Sequence, residues 1–567
     1  MNLPPHSLPL VRMLRPSAIA LAALLAVSAA HADERGELEQ LRATTLGLIQ
    51  ALVDQGLISA ERAQALLKQA VPRSAPSAVA VAPAGAASGA QWGDRAPHTV
   101  RVPYIPETLK AEIVQDIRND VMSTAREESW ADARQIPAWL KTFTLEGDLR
   151  VRAEGDLFSR SNAPAYLYQS QTASPAWSPD LTNTQNSYER LTLRARFGFR
   201  AAVGDDVTAG MRLSTGGTPT SASQTLGAGS GFSNRYTIGL DRAWVDWEPR
   251  QDLHFTGGRM ETPFFGTDLL WPEDLSLDGV AVRGIRNVGS GAYGFANAGA
   301  FMLQQFNIGG PSKWLFGGQV GGDWAVTDAT SVRLSAALYD FHRVEGSREV
   351  APAPTGALAP TVPYAQSQYP AGARLRGNTL ININDPTNAG APVWGLASKF
   401  RPVNVTAALT LRQFDPVQVG LSFDYVKNSA FDLADIERRA GTTAVATLAN
   451  MTSGVQARLQ VGSRDLAQKG AWNTFLAYRQ FERDAWLDAF TDTTWNLGGT
   501  NYRGFSLGGS YAFDRRASVG LRWTSTRNLD DHVRTLANPS QPTTVLGDMS
   551  SAPLKIDVLQ LDVNTRF

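Results

Sequence analysis

The chain has 567 residues, 53 basic and 53 acidic, so its formal net charge is zero; that balance excludes the basic footprint of a nucleic-acid binder. It has no cysteine, which excludes a disulfide framework and thiolate chemistry. The histidines beyond residue 32 (His98, His254, His342 and His532) are too scattered to predict a metal site, and no motif calls for a cofactor.

Arg12 and Arg15 precede an apolar run from Ser17 to Ala29, then the small-x-small site Ala30-His31-Ala32. The pattern predicts a secretory signal peptide over 1–32, too short to span a membrane as a stable helix. No later stretch reaches the roughly 18 consecutive apolar residues of a membrane helix. Any further crossing must therefore be made by a closed barrel.

Residues 33–70 predict a helical hairpin or coiled coil, with Leu38, Leu41, Leu48 and Leu52 on one face. Gly56 ends the first helix, Ser59 caps the second, and Leu66 and Leu67 complete it. One hairpin cannot bury its apolar face alone, so it predicts a homo-oligomer through these helices or another partner. Residues 71–98 are an Ala/Pro-rich flexible linker. Residues 99–140 predict a periplasmic helix with Leu109, Ile113, Ile117 and Val121 on one stripe, begun at Pro106 and ended at Pro137.

From residue 141 to 567 the period becomes two. In the first strand Phe143, Leu145, Leu149 and Val151 alternate with Glu146, Asp148, Arg150 and Arg152. In the second, Leu191, Leu193, Phe197 and Phe199 alternate with Arg190, Arg194, Arg196 and Arg200. One oily face and one charged face suit a soluble sandwich or a membrane barrel; loop lengths decide between them. Short turns (204–206, 249–251, 287–291, 327–329, 415–416, 463–470, 514–516) alternate with longer stretches (159–187, 217–235, 261–276, 344–392, 428–452, 484–502, 528–555), with 309–313 as the short member of the second set. That parity predicts an antiparallel outer-membrane β-barrel of about sixteen strands, with short turns in the periplasm and long loops outside. The stretch 393–413, interrupted by Pro402, reads as one strand or as two; two would bring the barrel to about eighteen with a partner elsewhere. The chain closes on Leu559-Gln560-Leu561-Asp562-Val563-Asn564-Thr565-Arg566-Phe567, a period-two strand ending in an aromatic.

Several stretches in this order resemble the "putative porin" family of proteobacterial outer-membrane channels. They are Val102-Pro103-Tyr104-Ile105-Pro106-Glu107, Trp139 through Arg152, Gly258-Arg259-Met260 through Phe264, Asp274-Leu275-Ser276 before Gly279, and Asp484 through Phe490 before Gly499-Thr500-Asn501. The resemblance implies an outer-membrane porin, a water-filled passive channel for small hydrophilic solutes, surrounded by outer-membrane lipid. It implies that Phe567 ends the signal read by the barrel-assembly machinery. In general-diffusion porins the third outside loop forms the constriction. Here that loop carries Pro263-Phe264-Phe265-Gly266-Thr267-Asp268, similar to the Pro-Glu-Phe-Gly-Gly-Asp of those porins except at the two phenylalanines. Asp268, Glu273 and Asp274 are then the constriction acids, facing basic residues across the lumen.

Parity places Arg150, Arg152, Arg190, Arg194, Arg196, Arg200, Arg212 and Arg242 in the pore lining, with Glu146 and Asp148. Arg333, Arg458, Arg522 and Arg566 join the same face, as do Glu154, Asp246, Asp424 and Asp562. Cross-strand pairing would neutralise much of this wall. The strand-two row has no acid between Arg190 and Arg200, so it predicts a weak anion preference. The alternatives are a substrate-selective channel, an adhesin or tether using 344–392, and a barrel hydrolase built on His254 or His342. No Gly-x-Ser-x-Gly surrounds a serine, and the expectation is that the protein is not an enzyme.

Overall fold

The computed structural model describes residues 142–165, 183–228, 232, 235–289, 291–305, 312–348, 366–383, 393–440, 448–530, 535–536 and 553–567. The signal peptide, hairpin, linker and helix expected over 1–140 lie outside the described residues.

Sixteen antiparallel strands form one closed sheet, as the alternation of turns predicts. They are β1 (Phe143–Phe158), β2 (Tyr188–Ala202), β3 (Val207–Thr215), β4 (Ile238–Arg250), β5 (Leu253–Met260) and β6 (Leu277–Gly289). Next come β7 (Ala292–Gln304), β8 (Lys313–Thr327), β9 (Thr330–His342), β10 (Pro402–Phe414) and β11 (Val417–Asn428). The last five are β12 (Ser453–Ser463), β13 (Trp472–Phe481), β14 (Tyr502–Asp514), β15 (Ala517–Asn528) and β16 (Lys555–Arg566). Each pairs with its neighbour in sequence, and β16 returns to β1 from Phe158↔Ile556 to Asp148↔Arg566. The final residue completes the seam: the Gly147 and Phe567 backbones exchange two hydrogen bonds of 3.1 Å. The Phe567 ring lies over Gly147, where an added Cβ would come within 2.3 Å of it.

The stretch 393–413 resolves into two pieces. Pro402 opens β10, a position where its missing N–H costs no ladder bond. Trp394–Leu396 instead joins Leu380–Asn382 and Thr535–Leu536 in a small three-stranded sheet at the long-loop rim. The barrel therefore has sixteen strands, not eighteen.

Exposure alternates along the strands as the period requires. Leu149, Val151, Leu191, Phe197, Val245, Leu334 and Leu476 are exposed on the outer face. Trp247, Trp324, Phe414, Trp472 and Phe513 cluster near the short-turn ends of their strands, also outward. An apolar band with such an aromatic girdle is what a barrel presents to lipid. Among the described residues no helix is long and apolar enough to cross a membrane.

The inner face is divided. Towards the long-loop ends of the β7–β14 side it is apolar: Phe301, Leu315, Tyr339, Phe341, Val426, Phe481 and Tyr502 point inward. Against them pack loop 3 (261–276), loop 5 (343–401) and loop 7 (482–501), through Leu269, Leu270, Trp271, Trp394, Trp486 and Trp495. Trp271 meets Trp486 edge-on at 5.2 Å, and Trp486 meets Phe341 at 5.0 Å. Part of the lumen is thus filled by a folded core; the polar wall runs through β15, β16 and β1 to β4.

Candidate functional site

Loop 3 leaves the rim and crosses the interior, tied to strands on both sides. Gln319 on β8 clamps Phe265: its Oε1 accepts from the Phe265 N–H at 2.7 Å and its Nε2 donates to the Phe265 carbonyl at 2.6 Å. The buried Asp424 carboxylate on β11 accepts from the Thr267 hydroxyl at 2.7 Å and the Thr267 N–H at 3.1 Å. Asp268 accepts from Gln456 on β12 at 2.6 Å and pairs with Arg479 on β13 at 3.1 Å. Burial alone would raise the Asp268 carboxyl, but the Arg479, Arg458 and Arg522 guanidiniums outweigh it and hold it well below the usual range. At the other end Asp274 lies 3.1 Å from both Arg194 and Arg196, and Glu273 lies 2.8 Å from Arg196.

The acids of loop 3 therefore do not stand off from the arginines across water; they touch them. Asp148 on β1 adds ion pairs of 3.1 Å to Arg194 and 2.6 Å to Arg196. Arg190 pairs with Glu154 and Asp156, and Arg200 with Glu146 at 3.4 Å. The strand-two row is thus neutralised from β1 and from the loop, not left as a free row of cations. Its own strand carries no acid between Arg190 and Arg200, but its cross-strand neighbour and a loop some eighty residues away supply several. Elsewhere on the wall Arg152 makes a bidentate pair with Asp562 at 2.6 and 2.8 Å. Arg212 pairs with Asp241 at 2.5 Å and Arg242 with Glu261 at 2.6 Å.

Arg150 donates to Ser223 at 2.7 Å and makes no carboxylate ion pair among the described residues. Arg458 and Arg522 share that lack: Arg458 stacks on Phe475 and Arg522 donates to Thr494 at 3.2 Å. Arg566 sits exposed at the short-turn end of β16. Glu273 keeps 70% of its side chain exposed despite its ion pairs, so open space lies beside the loop.

Sequence reasoning missed Gln319, Gln456 and Arg479. Gln319 did carry a signal, as a lone amide within Gly317-Gly318-Gln319-Val320-Gly321-Gly322 on an inward position. Arg479 sits among Phe475, Ala477 and Phe481 on an otherwise apolar inner face, so charge alternation could not find it. His254 is buried on the inner face with its Nδ1 2.9 Å from Asp246. The Thr256 hydroxyl bonds that same carboxylate and not the imidazole, which is not the arrangement of an activated nucleophile.

The model of the family described as "Putative porin" matches residues 42–567. No curated protein matches the chain in sequence. Among solved structures it is similar to OprB of Pseudomonas putida, at 11% identity and a TM-score of 0.41 over 75% of this chain and 94% of that one. It is similar also to the outer membrane channel DcaP of Acinetobacter baumannii, at 10% identity and a TM-score of 0.37 over 75% and 97%. An anion-selective porin from Comamonas acidovorans gives 10% identity and a TM-score of 0.37 over 75% and 99%. These structural likenesses are distant, whereas the family match spans the whole barrel. A closed sixteen-strand barrel within that match makes the chain a member of the "putative porin" family, an outer-membrane β-barrel of the porin type.

Proposed function

We propose that this barrel is a passive, water-filled channel for small hydrophilic solutes, with a weak preference for anions and no catalytic activity. The observation that carries the reading is Glu273: loop 3 spans the interior, yet this one acid keeps most of its side chain exposed while Asp268 and Asp274 are largely covered. The loop on this reading narrows a passage without sealing it. Barrels of about sixteen strands are too wide for wall side chains to fill, which leaves room for water. Asp268, Glu273 and Asp274 then belong to the constriction, and Arg150, Arg152, Arg190, Arg194, Arg196, Arg200, Arg212, Arg242, Glu146 and Asp148 to the pore wall. The anion preference rests on Arg150, Arg458 and Arg522, because the strand-two row is balanced by its acids.

The barrel's two chain ends meet at the short-turn rim, which supports a periplasmic N-terminal region and long loops outside. Phe567 on this reading is the residue that the assembly machinery recognises. A substrate-selective channel is the second reading, favoured by the folded core that occupies the β7–β14 side of the lumen.

Planar-bilayer recording of the purified protein tests the main reading. Stepwise conductance is expected, with a reversal potential in a salt gradient displaced modestly toward anions. Liposomes containing the protein should swell in small sugars. A folded barrel that gives neither current nor swelling would overturn it.

A further inference from the structure

Four neighbouring strands bring two arginines around one aromatic ring. Phe475 on β13 faces the lumen opposite Gly508 on β14, in register. A Cβ at Gly508 would fall 2.6 Å from the ring, so the glycine leaves the space in which the ring lies across β14. The ring then meets two guanidiniums. Arg458, on β12, sits 4.0 Å from its centroid, and Arg522, on β15, sits 5.3 Å from it.

Two like charges held around one ring repel, and neither is offset by an ion pair of its own. The Arg458 guanidinium makes no hydrogen bond among the described residues, yet none of its nitrogens is sealed from solvent. Arg522 spends one N–H on Thr494. Of the loop acids whose charge reaches Arg458, Asp268 is already bound to Arg479 and Gln456, and Asp492 accepts from the Thr494 hydroxyl and N–H. A guanidinium stacked on a ring offers its face to the ring and keeps its N–H edge free; that edge matches the oxygens of a carboxylate or phosphate.

We propose that Arg458 and Arg522, braced on Phe475, form a saturable subsite for small oxyanions within the passage. The inference deepens the channel reading: it turns a diffuse charge preference into a bound intermediate stop. The shared chemistry is two or more oxygens carrying negative charge, as on a carboxylate or on phosphate. Chloride, which cannot make the two-pronged contact, should pass without occupying it.

The test uses the full-length barrel in planar bilayers in potassium chloride, with inorganic phosphate or succinate added to one side. Chloride current should fall along a saturating curve with each oxyanion, to a plateau. R458Q/R522Q should raise the half-blocking concentration about tenfold or more, the loss of ~1.4 kcal/mol of binding. F475L should raise it less, because the guanidiniums remain but lose their brace. Lysine at both positions should rescue only in part, since an ammonium lacks the planar fork. R250Q, at an exposed rim pair with Asp252, is the control and should block like wild type.

Block by succinate alone or phosphate alone would assign the subsite to carboxylates or to phosphates. A linear, non-saturating effect, or a block unchanged in R458Q/R522Q, would overturn the proposal while leaving the channel intact. Absence of any chloride current would instead strike at the channel reading. Calorimetric titration of the folded barrel in detergent then decides the subsite alone: phosphate and succinate heats lost in R458Q/R522Q support it, and no heat in wild type overturns it.

Discussion

Arg196 is held by Asp148, Glu273 and Asp274 at once. Replacing it with Gln leaves Arg194 alone to face the same three carboxylates, so the local charge becomes more negative by one unit. A unit charge at ~4 Å in water is worth ~1 kcal/mol, so the anion-to-cation permeability ratio should fall by up to about fivefold. High salt should shrink that change, because the Debye length is only ~10 Å at 0.1 M. An unchanged reversal potential would place the permeant path away from loop 3. Asp488 in loop 7 poses a different question. It accepts a hydrogen bond from the Tyr369 hydroxyl and is buried with Arg374 and Asp484 nearby, and burial pushes its pKa up to about 7. The seated loop thus keeps a proton that an unseated loop would release from about pH 4 upward. Proton binding favours the seated form, so that stability is present at low pH and drains away as pH rises toward 7. Amide exchange in 366–383 and 482–501, corrected for intrinsic rate, should therefore accelerate across this window. Asp488→Asn should flatten the dependence; a wild type without it would show that Asp488 does not gate loop seating.

At the scale of elements, the strands were legible because lipid outside and water inside impose a strict period of two. The turns were legible because one rim needs only tight connections. Pro402 marked the beginning of β10 for the reason that proline is tolerated there. The path of loop 3 was not legible. Its anchors, Gln319, Asp424, Gln456 and Arg479, lie 54 to 211 positions away and touch it only once the barrel has closed. Nor was the apolar inner face of β7 to β9, since an inward Phe301 or Leu315 reads by parity as a misplaced lipid residue. The β1–β16 seam offers a test of one such closure contact. Gly147→Val would thrust a side chain into the Phe567 ring and within 2.9 Å of the Arg196 carbonyl. Overpacking of this kind costs about 1–3 kcal/mol. Its folded fraction, read as heat-modifiable migration, should drop below wild type, and deletion of Phe567 should lower it by removing the two seam bonds. Wild-type yield from both would mean that the seam closes without this contact.

At the scale of the whole molecule, an even number of strands brings both ends of the barrel to one rim. A tag within 345–390 should be reachable on intact cells and a tag within 71–98 should be protected. The reverse pattern would invert the barrel. The folded core of loops 3, 5 and 7 also has an optical consequence. Trp271, Trp394, Trp486 and Trp495 are sealed inside it, whereas Trp247, Trp324, Trp472 and Trp523 face outward. Brominated lipid should extinguish the outer fluorophores and spare the inner ones. The edge-on rings, locked at 5.2 Å, should give a strong near-ultraviolet circular dichroism band. Unseating the loops would erase that band while the far-ultraviolet strand signal persisted, so the protein carries its own spectroscopic reporter of whether its interior is open or packed.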